Sequence, residues 1–315
     1  MTSGVSNEEL DISRQRMTKI SNLPITVVSS EVYFFKGSLN SIRAIWKSRD
    51  LLKLLSIREI RARYKNSTLG ILWSLGRPLL QLTIYYFAIG KLLGAERSTP
   101  NFAIFVFVSL TTWTLFAEIL NSSTTSIIKD SGLVKKVNVP REIFPLSASI
   151  SSLVNFAIQA IVLTFGIVFF TQYTLTSEIW LVPASLLLIY LLTTSIGMLL
   201  AALNVYLRDV EHFVEVYLVA FFWLSPIVYP YSLVVNLSAP EWIKDLYSLN
   251  PVTLAITGMQ KGLWAPGLSL EEQIALSWPA DLELKLLIAI VISCFIAFIC
   301  QRIFSRLQGN FAQEI

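Results

Sequence analysis

Charge is scarce in this sequence: 15% of its 315 residues are Asp, Glu, Lys or Arg, against 54% that are hydrophobic. Soluble domains carry about 25% charged residues, and the mean hydropathy of +0.62 points the same way, so a water-soluble globular protein is excluded. One histidine, His212, and two cysteines, Cys294 and Cys300, are too few to build a metal-ligand cluster. The cysteines share one apolar run, and their spacing on a helix is about 9 Å, too far for a disulfide. No phosphate-binding glycine loop is present, because Gly90-Lys91 is followed by Leu and Tyr85 stands where the upstream glycine would be. ATP hydrolysis by this chain is thereby excluded. Basic residues are not interleaved with aromatics in a polar domain, which removes nucleic acid as a partner. The acidic residues Glu271, Glu272, Asp281 and Glu283 fall outside, away from cytoplasmic sugar donors, and so argue against a membrane glycosyltransferase. The first 48 residues lack the apolar core of a signal peptide. The N-terminus is therefore expected to stay on the side of synthesis.

What the chain does have is long apolar segments. A bilayer core needs roughly 20 apolar residues per helix, and six segments qualify, at 69–94, 101–128, 143–171, 179–206, 212–233 and 284–304. Lys and Arg crowd the N-terminal 68 residues, the second loop (Lys129, Lys135, Lys136, Arg141), the fourth loop (Arg208) and the tail (Arg302, Arg306). The alternate loops hold only Lys91, Arg97, Lys244 and Lys261. By the positive-inside rule both termini are cytoplasmic. The expected fold is an all-α integral membrane protein of six transmembrane helices. It divides into a cytoplasmic extension at 1–49, an amphipathic helix at 50–68 and a permease-like domain at 69–315. The one long connection, 234–283, is outside; Asn250-Pro251 breaks it, and a pair of short re-entrant helices is expected there.

Two cytoplasmic elements carry the charge. VKKVNVPREIFPLSAS, residues 134–149, places Lys135 and Lys136 before a possible cap, Asn138. Pro140 suits the first position of a helix, and Glu142 suits its positive end; Arg141 completes a short, rigid elbow between spans two and three. Residues 50–68, DLLKLLSIREIRARYKNST, form a basic amphipathic segment with Arg58, Arg61, Arg63 and Tyr64. Its apolar faces do not align on one ideal helix, so a bend is expected near Leu55–Ser56. Such a segment lies on anionic membrane lipid or docks a cytoplasmic partner.

Within the spans, Arg77 and Glu118 lie at similar depth and are expected to pair, since an isolated charge in hydrocarbon is costly. Aromatics fill spans one, two and five. Tyr85, Trp113, Phe221, Phe222, Trp223 and Tyr229 are the candidate wall and gate of a pathway. Trp180, Trp242, Trp264 and Trp278 are assigned to the interfacial belt. Pro226 and Pro230 forbid a regular helix through the end of span five.

In four ordered motifs the chain resembles the permease subunits of ABC-type polysaccharide exporters, which move O-antigen, capsule and teichoic-acid polymers across the bacterial inner membrane. These are DLLKLLSIREIRARYKNSTLGILWSLGRPLL, VKKVNVPREIFPLSAS, LNVYLRDVEHFVEVYLVAFFWLSPIVYP and LYSLNPVT, and the likeness covers residues 48 to 315. The resemblance implies a homodimer docked on two nucleotide-binding subunits, with the 50–68 segment as interface helix and the elbow as coupling helix. ATP and Mg²⁺ would be bound by those partners, leaving this chain without a cofactor. The cargo would be a lipid-linked glycan; a drug or lipid exporter of the same superfamily is the alternative. One departure stands out. Before the proline of span one the family commonly has a neutral polar residue, and this chain has Arg77.

Overall fold

The computed structural model describes residues 36–64, 73–136 and 139–314, all within the unit Phe34–Ile315. Among the described residues the only regular secondary structure is helical. Residues 1–35, the start of the first expected span and Asn138 lie outside the described residues.

Helices α1 (Lys36–Lys47) and α2 (Arg49–Tyr64) follow one another with a single break at Ser48. The bend expected at Leu55–Ser56 is absent, and α2 runs on through it. The Ser56 hydroxyl donates to the Leu52 carbonyl at 2.9 Å, so it is satisfied without interrupting the helix. Helix α3 (Trp73–Tyr85) carries Pro78 and continues as a π-helix, Tyr86–Leu92.

Helix α4 (Phe102–Lys129) is the hub. It holds neither Gly nor Pro over 28 residues and packs against α3, α6 (Ile143–Phe170), α7 (Leu181–Tyr206), α8 (Val210–Trp223) and α10 (Pro251–Met259). In an apolar interior its hydroxyls need local partners. Ser109, Thr111, Thr112 and Thr124 each donate to the carbonyl four residues back, at 2.7–2.9 Å. Helices α4 and α7 cross closely at Gly197. A Cβ there would lie 2.7 Å from the Ser123 Cβ, so a larger residue would push the helices apart.

The short elbow helix α5 (Ser131–Lys136) joins α4 to α6. After α8 come α9 (Glu241–Leu249) and α10, separated at Asn250-Pro251 as expected. The Asn250 side chain caps α10 by accepting from the Val252 amide at 3.0 Å, and Pro251 takes the first helical position. Helix α11 (Leu282–Leu307) packs on α7 and is followed by a short helical turn, Phe311–Glu314.

Four of these helical segments are long and apolar enough to cross a membrane: Phe102–Lys129, Ile143–Phe170, Ser177–Tyr206 and Leu282–Asn310. Of the other two expected spans, the first begins outside the described residues and the fifth is shorter. The fifth ends as a helix at Trp223, giving about 21 Å of rise against the roughly 30 Å of a bilayer core. The prolines explain this: past Trp223 the chain turns through Pro226, and Pro230 then starts a separate helical turn, Tyr231–Val235. The outward faces of α6 and α11, including Phe165, Phe169, Val291 and Phe295, are exposed hydrocarbon that water would not tolerate.

Candidate functional site

The elbow is held at both ends. The Asp130 carbonyl accepts from the Leu133 and Val134 amides and starts α5, while Val134 is buried among Ile127, Ile143 and Phe144. Lys135 remains exposed; the side chain of Lys136 lies outside the described residues. Pro140 does not begin the next helix. Its carbonyl accepts from the Ile143 amide at 3.2 Å, and α6 starts at Ile143 with Glu142 as its cap. Glu142 is 1% exposed, and its Oε1 accepts from Ser305 Oγ at 3.4 Å and Gln308 Nε2 at 3.3 Å. It therefore ties the elbow to the end of α11 and is not part of a partner-facing surface. Arg141 is held similarly, with its guanidinium 5.7 Å from the centre of the buried Phe311 ring.

Helix α2 is fastened to the same region. Arg58 forms an ion pair with Asp130, and Arg63 lies 3.3 Å from Glu118 of α4. Of the arginines singled out on α2, only Arg61 is left exposed without such a contact among the described residues. The Tyr64 side chain lies outside the described residues. Glu59 is buried, with its closest cations, Lys129 and Arg58, at 3.9 and 4.0 Å. Burial pushes its carboxyl above the usual range, and Lys129 opposes that rise only in part.

Helices α3, α4, α6 and α8, with Arg63 from the end of α2, line an open polar cavity of roughly 790 Å³. Arg77 and Glu118 both line it, yet they do not pair. Glu118 accepts from Arg63 Nη1 and, at 2.7 Å, from Asn155 Nδ2, so its charge is met from α2 and α6. The matching of Arg77 to Glu118 by depth left out α2, whose final turn supplies a nearer cation.

The six selected aromatics divide. Tyr85 stacks on Phe222 at 5.8 Å, Trp113 meets Phe222 at 5.5 Å and Phe221 at 6.4 Å, and Trp223 meets Phe222 at 5.4 Å. These five form one cluster joining α3, α4 and α8, and Trp113 lines the cavity directly. Tyr229 lies beyond the break: its hydroxyl donates to the Trp223 carbonyl at 2.8 Å and accepts from Tyr247 at 3.3 Å. Trp264, assigned to the interfacial belt, is instead 2% exposed in the core; its Nε1 donates to the Pro100 carbonyl at 2.9 Å.

Several important polar residues were not singled out from the sequence. Gln260, 1% exposed, donates through Nε2 to Ser109 Oγ and to the Pro226 carbonyl, both at 2.8 Å. It thus satisfies the carbonyl that the proline break leaves without a helical partner. Asn155 and Gln159 line the cavity from α6. Their spacing of four in an otherwise charge-free span was a usable signal, because amides in an apolar helix need partners on one shared face.

Among the described residues, a helical bundle with four bilayer-length helices and a polar cavity between helices marks a multi-pass membrane transport protein. The chain belongs to the ABC-2 type transporter family, which matches residues 50–264. It is 30% identical over 220 residues to the O-antigen export system permease protein RfbA of Myxococcus xanthus, covering 70% of this chain and 82% of that one. It is also 30% identical over 210 residues to a protein of the same name from Klebsiella pneumoniae, covering 66% and 77%.

Proposed function

We propose that this chain is the transmembrane subunit of an ATP-driven exporter that moves a lipid-linked polysaccharide, of O-antigen or teichoic-acid type, out of the bacterial cytoplasm across the inner membrane. Two copies form a homodimer, and a separate nucleotide-binding subunit on each hydrolyses ATP. The six spans are α3 with its π-helical continuation, α4, α6, α7, the broken α8 and α11, with both termini cytoplasmic. The cavity beside Trp113 carries this reading: a hydrated glycan needs hydroxyl- and amide-lined space with an aromatic face against which sugar rings slide, and the similarity to O-antigen permeases agrees with it.

The elbow transmits the ATPase stroke. Lys135 and Arg61 stand exposed for the partner, while Glu142, Arg141 and Arg58 make the elbow and α2 move as one piece with the spans. The aromatic cluster and the irregular segment after Trp223 close the outer end, since an apolar constriction excludes water without a charge.

Deleting the gene tests the function. Cells should lose surface polymer and accumulate the lipid-linked form inside, and a plasmid copy should restore export. Normal surface polymer in the deletion strain would refute the proposal.

A further inference from the structure

Two helices present matched polar pairs to the cavity. Arg77 and Gln81 lie one turn apart on α3, and Asn155 and Gln159 lie one turn apart on α6; Trp113 of α4 lines the same space. Two of these residues have capacity to spare. Gln159 is 1% exposed, and its Oε1 has no hydrogen-bond partner among the described residues. An orphaned amide oxygen in an apolar helix is costly, and a ligand hydroxyl would satisfy it.

Arg77 is the second. Among the described residues no carboxylate lies within ion-pairing distance of it, because Glu118 is engaged by Arg63 and Asn155. Glu211 and Glu215 line the cavity from α8 without reaching it, and Glu215 lies 3.7 Å from His212. Arg77 is the fifth residue of α3 and is exposed, about 12 Å along the helix from the Tyr85–Phe222 stack. An exposed guanidinium that lines a cavity and meets no carboxylate among the described residues is open to an anionic ligand there.

We infer that the cavity is a binding subsite for a sugar unit bearing an oxyanion, a carboxylate or a phosphate. The ring lies against Trp113, its hydroxyls reach Gln159 and Gln81, and the oxyanion is held by the planar fork of Arg77. The inference rests on the export reading and narrows it: the exported glycan, or the diphosphate that anchors it to lipid, is acidic where it passes Arg77. No bond is made or broken.

The test uses the full-length protein in nanodiscs and three probes: hexagalacturonate, neutral maltohexaose and a short isoprenyl diphosphate. Wild type should bind at least one anionic probe about tenfold more tightly than maltohexaose. Arg77→Gln should erase that preference while leaving maltohexaose binding within about twofold, and Arg77→Lys should keep part of it. Hexagalacturonate as the preferred probe places the oxyanion on the polymer repeat, and the diphosphate places it on the lipid carrier. Equal binding of all three probes by wild type, or a preference that survives in Arg77→Gln, overturns the subsite. If Arg77→Gln fails to insert, wild type alone decides the matter, because an ionic preference shrinks as salt rises and a shape-based one does not. The deletion-strain experiment is independent of Arg77. Lost export in that strain together with equal probe binding removes the subsite and leaves the export function standing.

Discussion

The Arg58 Nη2 lies 2.6 Å from both carboxylate oxygens of Asp130, across 72 positions of chain. This contact joins helix α2 to the residue between α4 and the elbow helix, so neither can shift alone. Asp130 is buried whereas Arg58 is 43% exposed, and water therefore screens the pair from one side. A double-mutant cycle of Arg58→Ala with Asp130→Asn should give a coupling of about 1 kcal/mol or less. Insertion should be unchanged in both variants, but stimulation of the partner ATPase should fall in each. Undiminished stimulation in the double variant would show that the tie plays no part in coupling.

Glu118 offers a choice between two arginines that geometry has made. Thermal unfolding of Arg63→Ala, Glu118→Gln and their combination should reveal a coupling of roughly 0.5–1 kcal/mol, the range of partly exposed ion pairs. Arg77→Ala combined with Glu118→Gln should be additive within about 0.5 kcal/mol, as for residues that share no contact. A larger coupling to Arg77 than to Arg63 would reverse the assignment.

Local rules in the sequence anticipated the helix at Asn250-Pro251, the break at Pro226 and the long apolar helices, because each depends on neighbours along the chain. Residues whose role depends on a distant partner were harder to read. Nothing within span two shows that Arg63, 55 positions earlier, returns to Glu118. Similarly, Glu142 looks like an exposed helix cap until α11 brings Ser305 and Gln308 against it. Trp264 was misassigned for a related reason: a tryptophan near a span end fits the interfacial belt by composition, and only the fold supplies the Pro100 carbonyl that lets its indole be buried. Candidate site residues chosen for type, such as Trp113, fell at the cavity, while the amides around it were passed over for want of a charge.

Glu59 should make helix α2 sensitive to pH. Its folded-state carboxyl titrates above its ordinary value because burial disfavours the charged form. A raised carboxyl binds its proton more tightly when folded, so its contribution is fully present below the unfolded value and is lost as pH rises through the folded one. Glu59→Gln keeps the shape and removes the charge. It should therefore raise the melting temperature at pH 7.5 and leave it nearly unchanged at pH 4. Destabilisation at pH 7.5 would mean that Lys129 and Arg58 hold the carboxylate better than their 3.9 and 4.0 Å distances indicate.

The proposed closure depends on how the break after Trp223 is held, and Gln260 is a residue that holds it. Its Nε2 serves Ser109 of α4 and the Pro226 carbonyl together, so one side chain from the outer helices fixes the irregular segment against the hub. Gln260→Leu keeps most of the volume but leaves the Pro226 carbonyl buried without its donor, at a cost of roughly 1–3 kcal/mol. The melting temperature should fall. Below it, proteoliposomes carrying the variant should leak small solutes, because the segment that carries Tyr229 is no longer pinned. Trp223→Ala provides the contrast: the ring is 55% exposed, so stability should change by less than about 0.5 kcal/mol. Leakage without lost stability in Trp223→Ala would place the constriction at that ring. A Gln260→Leu variant that melts like wild type and stays sealed would show that the break is held by something other than this bridge.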